Sequence, residues 1–347
     1  MDTKPRRVGL TRQVLLPDNG AVKKNIYIYS PSGAVRDKAS FKRGVRRLQQ
    51  LGHAVEVDPD ALSSHTRFAG DDQTRLAAIH RAAASGADVA MISRGGYGLT
   101  RILGGIRYKA LAKAIEGGMH FVGLSDFTAL QLALYTQTGS VTWAGPALCE
   151  GFGVGGATDR SDGAQPPAGP DEIMEDCFND MLTGQGEGAG WRQHRGVPTD
   201  DDAGKVRLGQ DYRIKNAILW GGNLTVLSSL LGTPYFPEIK GGILFLEDVG
   251  EHPYRVERML TQLLNAGVLA RQGAIVMGQF TEFKITSHDK GFNLHSVFQW
   301  LRTQTKTPVL TNMPFGHVAT KVLLPFGAKT DLNVEGRDAL LMWGHMG

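Results

Sequence analysis

Between positions 25 and 140 the apolar residues follow two periods in strict alternation. Short apolar or β-branched runs, NIYIYS (25–30), HAVEV (53–57), ADVAMIS (87–93) and MHFVGL (119–124), read as strands. The stretches between them carry helical spacing. ASFKRGVRRLQQLG (39–52) sets Phe41, Val45 and Leu48 on one face and closes at Gly52, while DDQTRLAAIHRAAASG (71–86) ends at Gly86. DFTALQLALYTQTG (126–139) stops at Gly139, and LTRIL (99–103) is expected to start a further helix. Alternation of this kind predicts an α/β fold with a parallel sheet and helices on both faces, which binds ligands at the carboxyl ends of its strands. RGGYG (94–98) and LSD (124–126) both fall at such ends.

The pattern breaks after Glu150. GFGVGGATDRSDGAQPPAGP (151–170) and TGQGEGAG (183–190) are rich in Gly, Pro, Asp and Gln, with one short helical piece, EIMEDCFNDML (172–182), between them. Residues 1–150 are therefore expected as one domain, 151–205 as a linker or binding loop, and 206–347 as a second domain. In that second part AILWGGN, GGILFLEDV and GAIVMGQF read as strands, 253–266 as a helix, and 307–343 as a β-rich tail.

A chain of 347 residues suits two domains, and 41% hydrophobic with 21% charged residues is ordinary globular composition. The 45 glycines are close to twice the usual share of roughly 7%. That excess suggests tight turns and backbone approaching a ligand. The net charge of +4 is spread along the chain; KPRR (4–7) is the nearest thing to a basic arm and reads as an exposed tail, so no nucleic-acid partner is expected. Cys149 and Cys177 are too few for a disulfide framework and lack zinc-site spacing. With neither a secretion-signal core nor an apolar run of membrane-spanning length, a cytoplasmic protein without a membrane partner is expected.

Ser125 follows an apolar strand and opens a helix. The pair Ser125-Asp126 reads either as a helix cap or as a nucleophile on a strand-to-helix turn, with the Asp126 amide aimed at a developing oxyanion. Glu247 ends the buried-looking run GGILFLE, where a carboxylate needs a partner: an arginine such as Arg255 or Arg258, or an imidazole. His317, in the turn MPFGHV, is one of ten histidines and is not singled out by its surroundings in the chain. The order Ser, acid, His is compatible with a triad. The turn RGGYG is suited to supplying a second oxyanion donor or to holding a phosphate, but GYGLTR fails the dinucleotide fingerprint at Arg101 and no P-loop exists. No metal motif is present, and neither metal nor cofactor is expected.

Taken together, YSPSG, RFAGDD, SRGGYGLTRIL, VGLSDFTALQLAL, GGNLTVLSSLLGTPY, ILFLEDVGEHPYRVERMLTQL and PFGH resemble the L,D-carboxypeptidases, a serine peptidase family that includes muramoyltetrapeptide carboxypeptidases and microcin self-immunity hydrolases. The resemblance implies a Ser-Glu-His triad on Ser125, Glu247 and His317, with the Asp126 amide and Gly96 as oxyanion hole. It implies an N-terminal flavodoxin-like domain carrying the serine, a smaller β-rich C-terminal domain carrying Glu and His, and a homodimer. One departure is TWAGP, which has Ala144 where family members often place a histidine.

The implied reaction is release of a terminal D-amino acid, D-alanine above all, from a murein tetrapeptide in cell-wall recycling. Arg94 or Arg101 is the candidate to hold the substrate carboxylate, and Tyr97 lies between them as a further contact. The alternatives are hydrolysis of a peptidyl or aminoacyl nucleotide amide, where Trp191 would stack on a base, and a catalytically silent binding protein of the same fold.

Overall fold

The computed structural model describes residues 22–155, 169–194 and 211–345. The basic segment 4–7 and the parts 156–168 and 195–205 of the expected linker lie outside these. In chain order the first half holds β1 (Asn25–Tyr29), α1 (Lys38–Gln50), β2 (Ala54–Val57), α2 (Asp72–Ala84), β3 (Val89–Ile92), α3 (Tyr108–Glu116), β4 (His120–Gly123), α4 (Thr128–Thr138) and β5 (Thr142–Ala144). There follow α5 (Glu172–Thr183), β6 (Gly188–Arg192), β7 (Tyr212–Asn223), α6 (Leu224–Ser229), β8 (Ile243–Val249), α7 (Pro253–Asn265), β9 (Ala274–Thr281) and α8 (Leu294–Gln304). The chain closes with β10 (Val309–Leu310), β11 (Leu324–Phe326), β12 (Lys329–Glu335) and β13 (Asp338–Met342).

The first sheet has the order β2-β1-β3-β4-β5, all parallel, with β11 antiparallel on its β5 edge. This is the flavodoxin-like winding, whose order reverses between β1 and β3. The alternation of side chains in β1 explains the two covered faces. Ile26 and Ile28 pack in one cluster with Phe41 and Leu48 of α1 and Phe178 and Met181 of α5, whereas Tyr27 and Tyr29 pack in another with α2, α3 and α4. Each fully buried aliphatic side chain such as Leu48 contributes roughly 2 kcal/mol of apolar burial.

The second sheet runs β10-β9-β8-β7-β12-β13-β6. Its β10-β9-β8-β7 half is parallel and is crossed by α6, α7 and α8; its β7-β12-β13-β6 half is antiparallel. The two halves of the chain exchange elements across the expected boundaries. Part of the expected linker forms α5 and the edge strand β6, and β11, from the second half, completes the first sheet. The α2–α4 face of the first sheet and the second sheet share one continuous core, to which Leu130 and Leu134 of α4 and Leu224 and Leu227 of α6 belong, with α4 packed on α6. The helix that begins after Ser125 is thus packed directly onto the part of the chain that carries Glu247.

Two helices depart from the sequence expectation. The segment LTRIL forms short 3-10 turns rather than a helix start, and the helix comes later as α3. The helix α8 lies in a stretch to which the sequence pattern assigns no element, and Asn293 caps it by accepting the Ser296 N–H. Among the described residues, no helix is long and apolar enough to cross a membrane.

Candidate active site

Ser125 sits between β4 and α4 with φ 64°. A left-handed conformation is costly for a non-glycine residue, by about 1–3 kcal/mol, and persists only where the surroundings impose it. Neither member of the Ser125-Asp126 pair caps the helix. The short 3-10 turn at Ser125–Phe127 and α4 both start without a side-chain cap, and Ser125 Oγ makes no hydrogen bond to any described group. Asp126 points backwards instead. Its buried carboxylate accepts the Leu99 N–H at 2.9 Å, which ties the end of the 94–98 glycine turn onto the Ser125 turn. Burial pushes the Asp126 carboxyl above its ordinary range, although the backbone donors from Leu99 and Gly98 oppose the shift.

Gly95 explains why that turn is glycine-rich. A Cβ there would lie 2.7 Å from Ser125 Oγ and 3.5 Å from the Asp126 nitrogen, so only a residue without a side chain lets the turn close over the serine. The Gly95 carbonyl accepts from the Gly33 N–H at 3.2 Å. In a trans peptide the N–H points opposite to the carbonyl, so the Gly96 N–H is turned away from Gly33.

Glu247 lies in the buried run of β8, followed by the buried Asp248, and is wholly buried. Its partner is the imidazole, not an arginine: Oε2 meets His317 Nδ1 at 2.8 Å, while Arg255 pairs with Glu251. The other oxygen, Oε1, accepts from Asn223 Nδ2 at 3.2 Å, and the same amide donates to Asp248 Oδ1 at 2.9 Å. Burial disfavours the His317 imidazolium, but the Glu247 hydrogen bond and charge, with Glu150 behind them, outweigh it and hold the imidazole pKa above its usual value. Burial, and then the adjacent Glu247 charge, push Asp248 up to about 6.

A chain of contacts links the serine turn to this pair. Thr128, three residues after Ser125, accepts the Asn223 backbone N–H through Oγ1 at 3.0 Å, and Asn223 lies opposite Glu247 in the β7–β8 ladder. Gly222, at φ 117°, makes the approach possible, because a Cβ there would sit 2.5 Å from Thr128 Oγ1. The Glu247–His317 pair is thus tied through Asn223 and Thr128 to the turn that carries Ser125, and no Ser125–His317 hydrogen bond is formed among the described residues. With Nδ1 held by Glu247, the His317 Nε2 is the nitrogen left to face a hydroxyl.

The expected substrate contacts are placed less uniformly. Arg94 is drawn inward, donating to the Ala34 carbonyl at 3.3 Å and standing 3.8 Å from Glu150. Arg101 pairs with Asp72 at 3.0 Å and lies over the Phe68 ring. Tyr97 is 45% exposed beside Phe68 and Arg67. Trp191 is buried in β6 and donates its indole N–H to the Thr311 carbonyl at 3.1 Å, which is a packing position rather than an open face for a base. Ala144 is buried within β5. Asn223, Asp248 and Thr128 were not anticipated. The glycine pair of GGN at a strand end, the same signal that marks RGGYG, points to Asn223. Among the described residues no group of three or more His, Cys, Asp or Glu is placed to hold a metal ion.

A two-sheet α/β protein with a strained serine at a strand-to-helix turn and a buried Glu–His pair invites comparison with hydrolases of known structure. Residues 26–145 match the LD-carboxypeptidase N-terminal domain and residues 216–332 the LD-carboxypeptidase C-terminal domain. The chain belongs to the LD-carboxypeptidase family. It superposes with a TM-score of 0.75 on the crystal structure of muramoyltetrapeptide carboxypeptidase from Oxalobacter formigenes, at 35% identity over 92% of this chain and 98% of that one. It is 28% identical to the probable murein peptide carboxypeptidase of Bacillus subtilis, over 86% of this chain and 85% of the relative. To the microcin C7 self-immunity protein MccF of Escherichia coli it is 24% identical, over 92% and 93% of the two chains.

Proposed function

We propose that the protein is a serine L,D-carboxypeptidase that removes a terminal D-amino acid, D-alanine above all, from a murein tetrapeptide. The observation that carries this reading is the fully buried Glu247, bonded to His317 and linked through Asn223 and Thr128 to the turn of the strained Ser125. An acid buried at that depth costs several kcal/mol in lost hydration. It is retained where its charge orients and stabilises an imidazolium.

Ser125 Oγ attacks the carbonyl of the scissile amide while His317 Nε2 takes its proton, and Glu247 steadies the charge that forms on the ring. The Asp126 and Gly96 N–H groups receive the oxyanion; the first is fixed by the helix turn and the second by the Gly95 carbonyl bond to Gly33. His317 then protonates the departing amine, and water, deprotonated by the same nitrogen, releases the acyl group and restores Ser125. No step calls for a metal, so EDTA is expected to leave turnover unchanged; loss of activity restored by zinc contradicts the scheme. The reading places the enzyme in the cytoplasm, as a homodimer, in peptidoglycan recycling.

The second reading, a peptidyl or aminoacyl nucleotide amide as substrate, draws on the likeness to MccF. A side-by-side kcat/KM comparison of murein tetrapeptide with a glutamyl sulfamoyl nucleoside separates the two. Preference for the tetrapeptide is expected, and preference for the nucleoside moves the assignment. Gly95→Ala tests the serine turn, since its new Cβ displaces Ser125 Oγ. A loss of about 100-fold in kcat/KM with an unchanged far-UV spectrum is expected.

A further inference from the structure

A carboxypeptidase must hold a free carboxylate next to its scissile bond, and both arginines expected to do so are committed elsewhere, to Ala34 with Glu150 and to Asp72. Lys321 is not committed. It lies four residues beyond His317, only 2% exposed, in the segment that leads to β11. The backbone around it is fixed, with Val322 donating to the Pro314 carbonyl at 2.8 Å and Thr320 Oγ1 donating to Asp171 Oδ2 at 2.6 Å. Its ammonium nevertheless forms no ion pair and donates no hydrogen bond among the described residues.

The charges that act on Lys321 are Glu150, Glu247 and Asp171. Glu247 belongs to the His317 pair; Glu150 stands beside Arg94, whose neighbour Gly95 covers Ser125. The Val322–Pro314 bond closes the 314–322 turn, so Lys321 sits in the same turn as His317 and within the field of Glu150 and Glu247. Glu150 itself keeps one carboxylate oxygen, Oε2, buried without a partner. A buried ammonium without a bonded anion is costly, and burial does hold its pKa below the usual lysine range. The geometry of a cation withheld from every nearby carboxylate suits one whose partner arrives with the substrate.

Building on the proposed carboxypeptidase function, we infer that Lys321 binds the free terminal carboxylate of the substrate and sets the enzyme's preference for a carboxylate end over a blocked one. Arg94 and Glu150 then shape the opposite wall. Lys321 takes no part in proton transfer, and its contribution is to binding.

The test compares murein tetrapeptide with the same peptide ending in a carboxamide, using wild type and Lys321→Met. Methionine matches the stem of lysine and removes the charge, and the variant should melt no lower than wild type because no ion pair is broken. Wild type is expected to favour the acid by about 100-fold in kcat/KM. Lys321→Met should lose that preference through a raised KM for the acid, with kcat and the carboxamide reaction little changed. An acid-to-amide ratio that survives in Lys321→Met overturns the inference, as does a wild type without preference. Should wild type cleave neither peptide, the proposed function fails, and Lys321 is judged on Ser125 labelling by two fluorophosphonates that differ only by a carboxylate. Faster labelling by the acidic probe, lost in Lys321→Met, sustains the inference; equal rates reject it.

Discussion

Replacing Ser125 with alanine is expected to lower kcat by at least about 10⁴-fold, leaving only the residual acceleration that binding and the oxyanion donors supply. The fold should survive. The Ser125 hydroxyl makes no hydrogen bond that alanine would break, and the Asp126–Leu99 and Thr128–Asn223 bonds that hold the turn do not pass through it. Melting temperature and fluorophosphonate labelling are the readouts: the first within a few degrees of wild type, the second abolished. Undiminished labelling of Ser125→Ala would place the nucleophile elsewhere.

Glu247→Gln has the second largest expected effect, about 10³- to 10⁴-fold in kcat. The amide keeps the volume of the carboxylate but removes the charge, and it competes for the orientation of the ring. The pH profile separates this from simple damage. His317 must be neutral to accept a proton, so wild-type kcat/KM falls as the pH drops through an ionisation that lies above the ordinary imidazole value. Without the Glu247 charge, burial is opposed only by the weaker pull of Glu150, and the acid limb should move to lower pH. The linkage to stability has the opposite sense. A histidine whose pKa is raised by folding stabilises the protein fully below its unfolded pKa, and that contribution is lost as the pH rises through the folded value. Chemical denaturation across that window should show the loss in wild type and not in Glu247→Gln.

The first sheet was legible because its strands are continuous apolar runs and its helices end at glycines, as Gly139 does in closing α4 with φ 71°. The chemistry was legible only in part. A carboxylate at the end of GGILFLE announces that a partner is needed, but seventy residues separate Glu247 from His317, and nothing in the spacing chooses the imidazole over Arg255. Gly95, not only Gly96, proves decisive in the turn, because which glycine faces the serine depends on a contact between two strand ends. The exchange of β6 and β11 between the sheets was unreadable for a related reason. An edge strand as short as LPF carries too few residues to display a period, and its pairing with β5 is set by tertiary contact. The helix α3 is amphipathic but only nine residues long and buries a single side chain in full, Leu111, so it offers few turns in which a period can show. Lys321 gave no signal at all, since a lysine reads as surface until its burial is known.

The central claim is that Ser125, driven by the Glu247–His317 pair, cleaves the amide before a terminal D-amino acid. Mass-spectrometric detection of D-alanine released from purified murein tetrapeptide, by wild type and Ser125→Ala in parallel, tests it most directly. Release by wild type alone is the predicted result. Release by both, or by neither, contradicts it.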